Sequence, residues 1–194
     1  MSKSNVSLHR VVKASPEKVY RAFTEANALA SWLPPYGFLC TVHELNVHVN
    51  GTYKMSFQNF STGNGHSFGG KYVEVKLNEF LKYTDKFDDP GLPGEMTTSV
   101  WLQKVSVGTE IKILQEDIPS AIPVEMCYLG WQESLEKLLK LVEPEIPDMW
   151  PFQLYGIPIS PPAKMRDIGC NNREMIQLQM HDPGPGFNLL PCQR

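Results

Sequence analysis

Apolar and polar residues alternate with a period of two through the middle of the chain and with a period near 3.6 towards residue 142. The first pattern is typical of strands with one buried face, and the second is typical of a helix. Turn-forming residues such as Asn50-Gly51 and Asp89-Pro90-Gly91 separate the alternating segments. The pattern therefore predicts strands around residues 53–57 and over residues 72–77, 80–87, 97–105 and 110–115.

Helices are predicted before and after these strands. A first strand over residues 6–13 leads to Ser15 and Pro16, which suit the N-cap and the first position of a helix. A second short helix is predicted over residues 27–32, because two prolines follow it.

The last predicted element is a long amphipathic helix from Pro123 to about Val142. Its polar side carries pairs at i,i+4 spacing, Glu133 with Lys137 among them, which favour helix formation. A sheet with one apolar face needs a cover, and this helix is the longest element available. We therefore predict an α+β fold, with about six antiparallel strands packed against one long C-terminal helix.

Proline content divides the chain into two parts. Residues 149–194 hold 7 of the 16 prolines, and prolines at this density exclude long helices and central strands. We predict a folded domain over residues 1–147 and an irregular tail over residues 148–194. Two interpretations of the tail remain open. Either it docks on the body through Trp150, Phe152 and Tyr155, or it is a non-native extension of the reading frame.

Charge and composition exclude several classes of function. The 194 residues carry a net charge of −3, so no basic surface is expected to recruit nucleic acid. The chain has no apolar run of membrane-spanning length and no secretory signal at its start. Its four cysteines are few and widely spaced, which is typical of reduced thiols in a cytoplasmic protein.

Motifs that resemble catalytic or metal sites lack the context that such sites need. Gly65-His66-Ser67-Phe68-Gly69 matches a nucleophile elbow, but a strand pattern follows it where a helix is required, so we interpret it as a glycine-rich hairpin turn. Cys40, His43 and His48 alternate faces on a strand. The carboxylates Glu74, Asp85, Glu116 and Asp117 are scattered, and carboxylates on strands usually lie on the solvent face. We therefore predict no catalytic residue, metal site or cofactor.

Several short segments, in this order, resemble the START-like (SRPBCC, birch-pollen-allergen-like) superfamily. Within it the chain is most similar to homologues of the activator of the heat-shock chaperone ATPase. The segments that carry the resemblance are residues 14–23, 30–34, 50–53, 69–75, 81–84, 108–111 and 130–138. The resemblance spans about residues 6–143, and nothing after residue 148 matches it.

The resemblance implies a helix-grip fold, in which a curved antiparallel sheet of about six to seven strands wraps a long C-terminal helix. It also implies a hydrophobic cavity for small apolar ligands, and some relatives are cyclases or aromatases. Members that activate the chaperone carry a separate N-terminal domain. Because this chain begins directly with the helix-grip domain, we expect ligand binding rather than chaperone activation.

The first hypothesis is therefore a protein that binds a small apolar molecule or lipid between the sheet and the long helix. Strand alternation and the helical periods place thirteen residues around the predicted cavity. They are Trp32, Tyr53, Met55, Phe57, Tyr72, Val100, Leu102, Ile111, Ile113, Val124, Cys127, Tyr128 and Trp131. Gln115 and Tyr83 are the predicted polar anchors.

Two alternative functions remain open. One is a protein-interaction or co-chaperone module with a solid core and an acidic surface. The other is a cyclase-like enzyme, which needs two titratable side chains that face each other in the cavity.

Overall fold

A computed structural model of the chain describes residues 4–146. Seven strands and three helices follow one another along this part of the sequence. They are β1 (Ser4–Val12), α1 (Pro16–Thr24), α2 (Ala26–Trp32), β2 (Phe38–Leu45), β3 (Thr52–Asn59), β4 (Gly65–Lys76), β5 (Phe80–Phe87), β6 (Met96–Val105), β7 (Gly108–Ile118) and α3 (Val124–Val142). The predicted tail, with Trp150, Phe152 and Tyr155, lies outside the described residues.

The strands form one antiparallel sheet in the order β1-β7-β6-β5-β4-β3-β2. Strands β2 to β7 pair with their neighbours in sequence, and β1 joins the free edge of β7. Helices α1 and α2 fill the connection between β1 and β2, and α3 follows the last strand. This arrangement confirms the predicted α+β helix-grip fold.

Helix α1 begins as the sequence predicts. The Ser15 side chain accepts a hydrogen bond from the Lys18 backbone N–H at 3.4 Å, and Pro16 occupies the first turn. The apolar face of α1 is buried, with Val19 at 0% and Phe23 at 3% exposure. The sheet, α1 and the buried face of α3 thus share one hydrophobic core.

The segment between α2 and β2 is held against α3 by side chains of that helix. Ser134 Oγ donates to the carbonyl of Leu33 at 2.6 Å, and Lys137 Nζ donates to the carbonyl of Pro34 at 2.7 Å. Glu133 accepts from the Tyr36 backbone N–H at 3.0 Å. The i,i+4 spacing predicted that Glu133 and Lys137 pair with each other. In the structure, both instead hydrogen-bond to the segment before β2.

The glycine-rich stretch at residue 65 is the first half of a strand, not the turn that we predicted. The turn lies just before it, where Gly63 has a positive φ of 75°. At Gly70 the neighbouring strand passes so close that a Cβ atom would collide with the carbonyl of Thr84. The glycines thus permit close strand packing, a role that is hard to distinguish from turn formation in the sequence alone.

Strand β2 is the element that the sequence pattern did not delimit. It is an edge strand, and its inward residues Cys40 and Val42 are only partly buried. Leu39, on its other face, is 51% exposed. Because apolar residues occur on both faces, the strand lacks the clear alternation that identified its neighbours.

Candidate functional site

A cavity of about 350 Å³ lies between the concave side of the sheet and the helices. Strands β3 to β7 form its floor. The three helices, the start of β2 and the segments before β2 and α3 form its other walls. Most of the lining is apolar. Met126 belongs to the lining and is 63% exposed, so the cavity reaches the surface beside α3.

Six of the thirteen predicted residues line this cavity. They come from three elements and include two aromatic residues of the sheet whose rings are nearly buried. The six are Tyr53, Met55, Phe57, Tyr72, Cys127 and Trp131. The predicted polar anchors, Tyr83 and Gln115, line it as well.

Four predicted residues of β6 and β7 face inward but lie away from the cavity. Val100, Leu102, Ile111 and Ile113 are at most 5% exposed, and they belong to the core. Helix α1 contacts both of these strands. Strand alternation gave the correct face for these residues, but it contains no information on how far the cavity extends along each strand.

Three predicted helical residues also lie elsewhere. Trp32 is fully buried, packs edge-to-face on Phe23 at 4.8 Å, and donates its indole N–H to the carbonyl of Ala22 at 2.8 Å. Val124 is only partly buried against the core, and Tyr128 is 40% exposed. The inward stripe of α3 runs through Cys127 and Trp131, and Tyr128 lies one position further around the helix.

The floor also contains residues that the sequence analysis missed. Asp85 lines the cavity between Tyr83 and Phe87, the residues two positions before and after it on β5. Its position in the alternation could have identified it, but strand carboxylates were assigned to the solvent face. His66, Phe68, Met96 and Thr98 also line the cavity. His66 and Phe68 were missed because the start of β4 was interpreted as a turn.

Asp85 is the most unusual polar residue of the site. Its Oδ1 atom is buried and has no hydrogen-bond partner among the described residues. Burial raises the pKa of the Asp85 carboxyl to about 7, although the Tyr53 hydroxyl and the Lys86 backbone N–H favour the ionised form. Burial thus disfavours the charged form of this carboxyl compared with an exposed aspartate.

Tyr53 and Tyr83 interact with this carboxyl, and Tyr72 packs against both of these tyrosines. The ring centroids of Tyr53 and Tyr83 are 5.7 Å apart, and each lies 5.8 Å from the ring of Tyr72. Burial raises the pKa of all three phenols, so they are neutral hydrogen-bonding groups in the physiological range. The Tyr53 hydroxyl donates to the carbonyl of Thr84 at 2.9 Å.

Gln115 joins the floor to α3. Its Oε1 atom accepts the indole N–H of Trp131 at 2.9 Å and the thiol of Cys127 at 3.0 Å. Two donors on one oxygen fix the orientation of the amide. Burial also raises the pKa of the Cys127 thiol, which keeps it a neutral donor.

The family model described as Activator of Hsp90 ATPase homolog 1-like protein matches residues 13–143 of the chain. This range includes most of the sheet, all of the cavity and α3. The chain belongs to this family. Its members share the helix-grip architecture that was predicted from the order of the short segments above.

Solved structures of the same fold support this membership. A crystal structure of a protein from Chromobacterium violaceum is 54% identical, with a TM-score of 0.72, over 73% of this chain and 98% of that chain. A Rhodobacter sphaeroides protein is 19% identical over 70% and 89% of the two chains, with a TM-score of 0.63. A Staphylococcus epidermidis protein is 18% identical over 76% and 95%, with a TM-score of 0.64. At these lower identities the likeness shows the fold alone.

A search of the curated proteins finds no match to this chain. Within residues 4–146, none of the helices combines the length and the apolar character needed to cross a membrane.

Proposed function

We propose that this protein binds a small, mainly apolar molecule in the cavity between the sheet and α3. The observation that carries the proposal is the cavity itself, because a space of about 350 Å³ with several aromatic residues in its lining remains between the sheet and the helices. Binding pockets for small molecules typically measure about 300–1,000 Å³ and combine apolar walls with a few polar groups. Asp85, Thr98 and Gln115 are such groups here.

The aromatic walls are rigid, which suits a preformed pocket. Phe57 packs edge-to-face on Phe68 with ring centroids 4.8 Å apart, and Phe68 contacts Phe87 at 6.1 Å. Side chains with few rotatable bonds lose little entropy when a ligand binds. Most of the binding free energy then comes from apolar area removed from water, at about 25 cal/mol per Å² before ordering costs.

Native mass spectrometry of freshly purified protein tests the proposal, with a denatured sample as the control. We expect an adduct of small-molecule mass that is lost on denaturation. Gly130 offers a matched pair of variants because it lines the cavity, and an added Cβ would meet only Pro35, at 3.7 Å. Gly130→Phe is expected to abolish the adduct, and Gly130→Ala is expected to keep it.

A folded wild-type protein that carries no adduct and takes up no apolar probe would count against ligand binding. That result would favour the alternative function, in which the protein contacts a chaperone or another protein through its surface.

Acid–base catalysis is a second candidate function, because one observation favours it. The enzyme hypothesis required two titratable side chains that face each other in the cavity, and Asp85 and Tyr53 do so. A carboxyl with a pKa of about 7 is suited to accept a proton at neutral pH. In this scheme Asp85 is the base, and the tyrosine hydroxyls orient the bound molecule.

The Asp85→Asn variant separates catalysis from binding. An enzyme without its base should retain its substrate, so the molecule released from the variant should differ from that released by the wild type in mass or, for an isomer, in chromatographic retention. Adding the released molecule to wild-type protein should then convert it. If neither its mass nor its retention changes after this addition, catalysis by Asp85 is excluded for that molecule.

A further inference from the structure

The floor of the cavity contains two buried oxygen atoms without hydrogen-bond partners among the described residues, although the Asp85 carboxyl as a whole also faces the Tyr53 hydroxyl and the Lys86 backbone N–H. The two atoms are Asp85 Oδ1 and Thr98 Oγ1. Buried polar atoms are almost always paired in folded proteins, so two unpaired atoms in one cavity suggest that a bound molecule completes them. We propose that the ligand is an apolar molecule carrying a protonated amine, which Asp85 binds. This inference rests on the ligand-binding function proposed above.

Strand register brings the polar groups of the floor together. Tyr83 on β5 pairs with Thr98 on β6, and Thr98 pairs with Gln115 on β7. Asp85 is the next inward residue of β5 after Tyr83. These four side chains thus occupy neighbouring positions on three adjacent strands. An ammonium group has three donors and no acceptor, so it matches a floor that presents a carboxylate and a hydroxyl.

The charge of the lining favours a cation over other head groups. Asp85 is the one carboxylate among the lining residues that the structure describes, and these residues include no lysine or arginine. The other titratable groups that face the cavity are Tyr53, Tyr72 and Tyr83 of the sheet, His66 of β4, and Cys127 of α3. Burial lowers the pKa of His66, which favours the neutral form of its ring.

A buried carboxylate without a counter-ion is costly, and a ligand that brings a positive charge removes this cost. An anionic head group would be repelled by the same carboxylate. A neutral alcohol can donate one hydrogen bond to Asp85, but it leaves the charge uncompensated. When Asp85 is ionised, the cavity therefore distinguishes between ligands that share the same apolar part and differ in their head group.

The tyrosine rings give independent support for a cation. Tyr53, Tyr72 and Tyr83 form a cluster with centroid separations of 5.7–5.8 Å beside the carboxyl. Aromatic faces attract ammonium groups when the two lie within about 6 Å of each other, and the attraction grows in desolvated sites. The site thus combines a carboxylate with several aromatic rings, an arrangement that suits an amine.

Three probes with one bicyclic ring test the proposal. They are 1-naphthylmethylamine, 1-naphthalenemethanol and 1-naphthylacetic acid, which share a naphthylmethyl body and differ only in the head group. Calorimetry would measure their affinities for the full chain at about pH 6 and about pH 8, a range that spans the ionisation of Asp85. Asp85→Asn is the test variant. Asp88→Asn is the control, because Asp88 pairs with Lys54 outside the cavity.

At the higher pH we expect the affinity of the amine to exceed that of the alcohol by a factor of about ten or more, because its hydrogen bonds to Asp85 are charge-assisted. Its affinity should fall at the lower pH as Asp85 takes up a proton. Asp85→Asn should remove this preference and its pH dependence, whereas Asp88→Asn should leave both unchanged.

Two outcomes would overturn the inference. If the alcohol binds as tightly as the amine to the wild type at both pH values, the cavity binds apolar molecules, but Asp85 does not select their head group. If the acid binds best, the charge argument is wrong. Absence of binding by all three probes, together with a wild-type protein free of adducts, would overturn the proposed function itself.

Discussion

Trp32 and Trp131 are both buried, but only Trp131 faces the cavity. Trp32 is enclosed on every side, so Trp32→Ala should leave a void and lower the free energy of unfolding by about 3–5 kcal/mol. Trp131→Ala should cost clearly less in the ligand-free protein, because its ring already borders empty space. Denaturant unfolding of both variants measures the difference. Equal losses would indicate that the space beneath α3 is effectively filled.

Asp85 should make stability depend on pH. Its pKa is about 7 in the folded protein and about 3.9 in an unfolded chain. Between these values the folded state holds more protons, so stability falls as pH rises from about 4 to about 7 and is constant above that range. The loss is expected to be roughly 2–4 kcal/mol in total.

Asp85→Asn removes this titration and keeps the shape of the side chain. Urea unfolding across the same pH range should therefore show the variant gaining stability relative to the wild type as pH rises. The comparison cancels contributions from all other carboxylates. Parallel pH profiles for the two proteins would show that Asp85 is solvated and that its raised pKa does not exist.

At the scale of single elements, the same substitution should have opposite effects at two glycines. Gly70→Ala should destabilise the protein by about 1–3 kcal/mol, because the new Cβ would collide with the carbonyl of Thr84 across the sheet. Gly130→Ala should stabilise it by up to about 1 kcal/mol, because alanine favours the helix and meets only Pro35 at 3.7 Å. Thermal unfolding of both variants tests the signs. A stable Gly70→Ala protein would mean that β4 and β5 separate easily.

The elements themselves were largely predictable from the sequence. Strand β5 was predicted with the bounds 80–87 that the structure shows, and α3 was predicted to within one residue at its start. Both have an unambiguous period, which local physics sets. The start of β4 was missed because its glycines lie close to the backbone of neighbouring strands: a Cβ added at Gly70 would collide with the carbonyl of Thr84 on β5, and one added at Gly69 with the carbonyl of Tyr53 on β3. The local sequence pattern does not predict such contacts between strands.

The candidate site was predictable only in part, for a similar reason. Alternation correctly predicted that Tyr53 and Met55 face the cavity. It also predicted that Val100 and Ile113 face inward, and these two residues are buried in the core without lining the cavity. Which inward residues meet empty space depends on where the helices end, a property of the whole packing. Asp85 was missed because the solvent-face rule for carboxylates outweighed its place in the alternation.

At the scale of the whole molecule, residues 4–146 form one hydrophobic core. The last residue of that core is Val142, which is 2% exposed. The end of α3 is held by Lys18 Nζ, which donates to the carbonyl of Pro144 at 2.8 Å, and by the Lys13 backbone N–H, which donates to Glu143 at 3.0 Å. The Chromobacterium violaceum structure is a domain of this length, since 98% of it aligns with 73% of this chain.

We therefore expect a chain cut after Asp148 to unfold cooperatively, with a Tm within about 3 °C of the full chain, because every described core contact is retained. A second chain cut after Lys140 serves as the control, since it removes Val142 and both contacts at the end of α3. That chain should lose most of its stability. If the Tm of the chain cut after Asp148 also falls by more than about 5 °C, residues 149–194 must pack on the body. Docking through Trp150, Phe152 and Tyr155 would then be the correct interpretation.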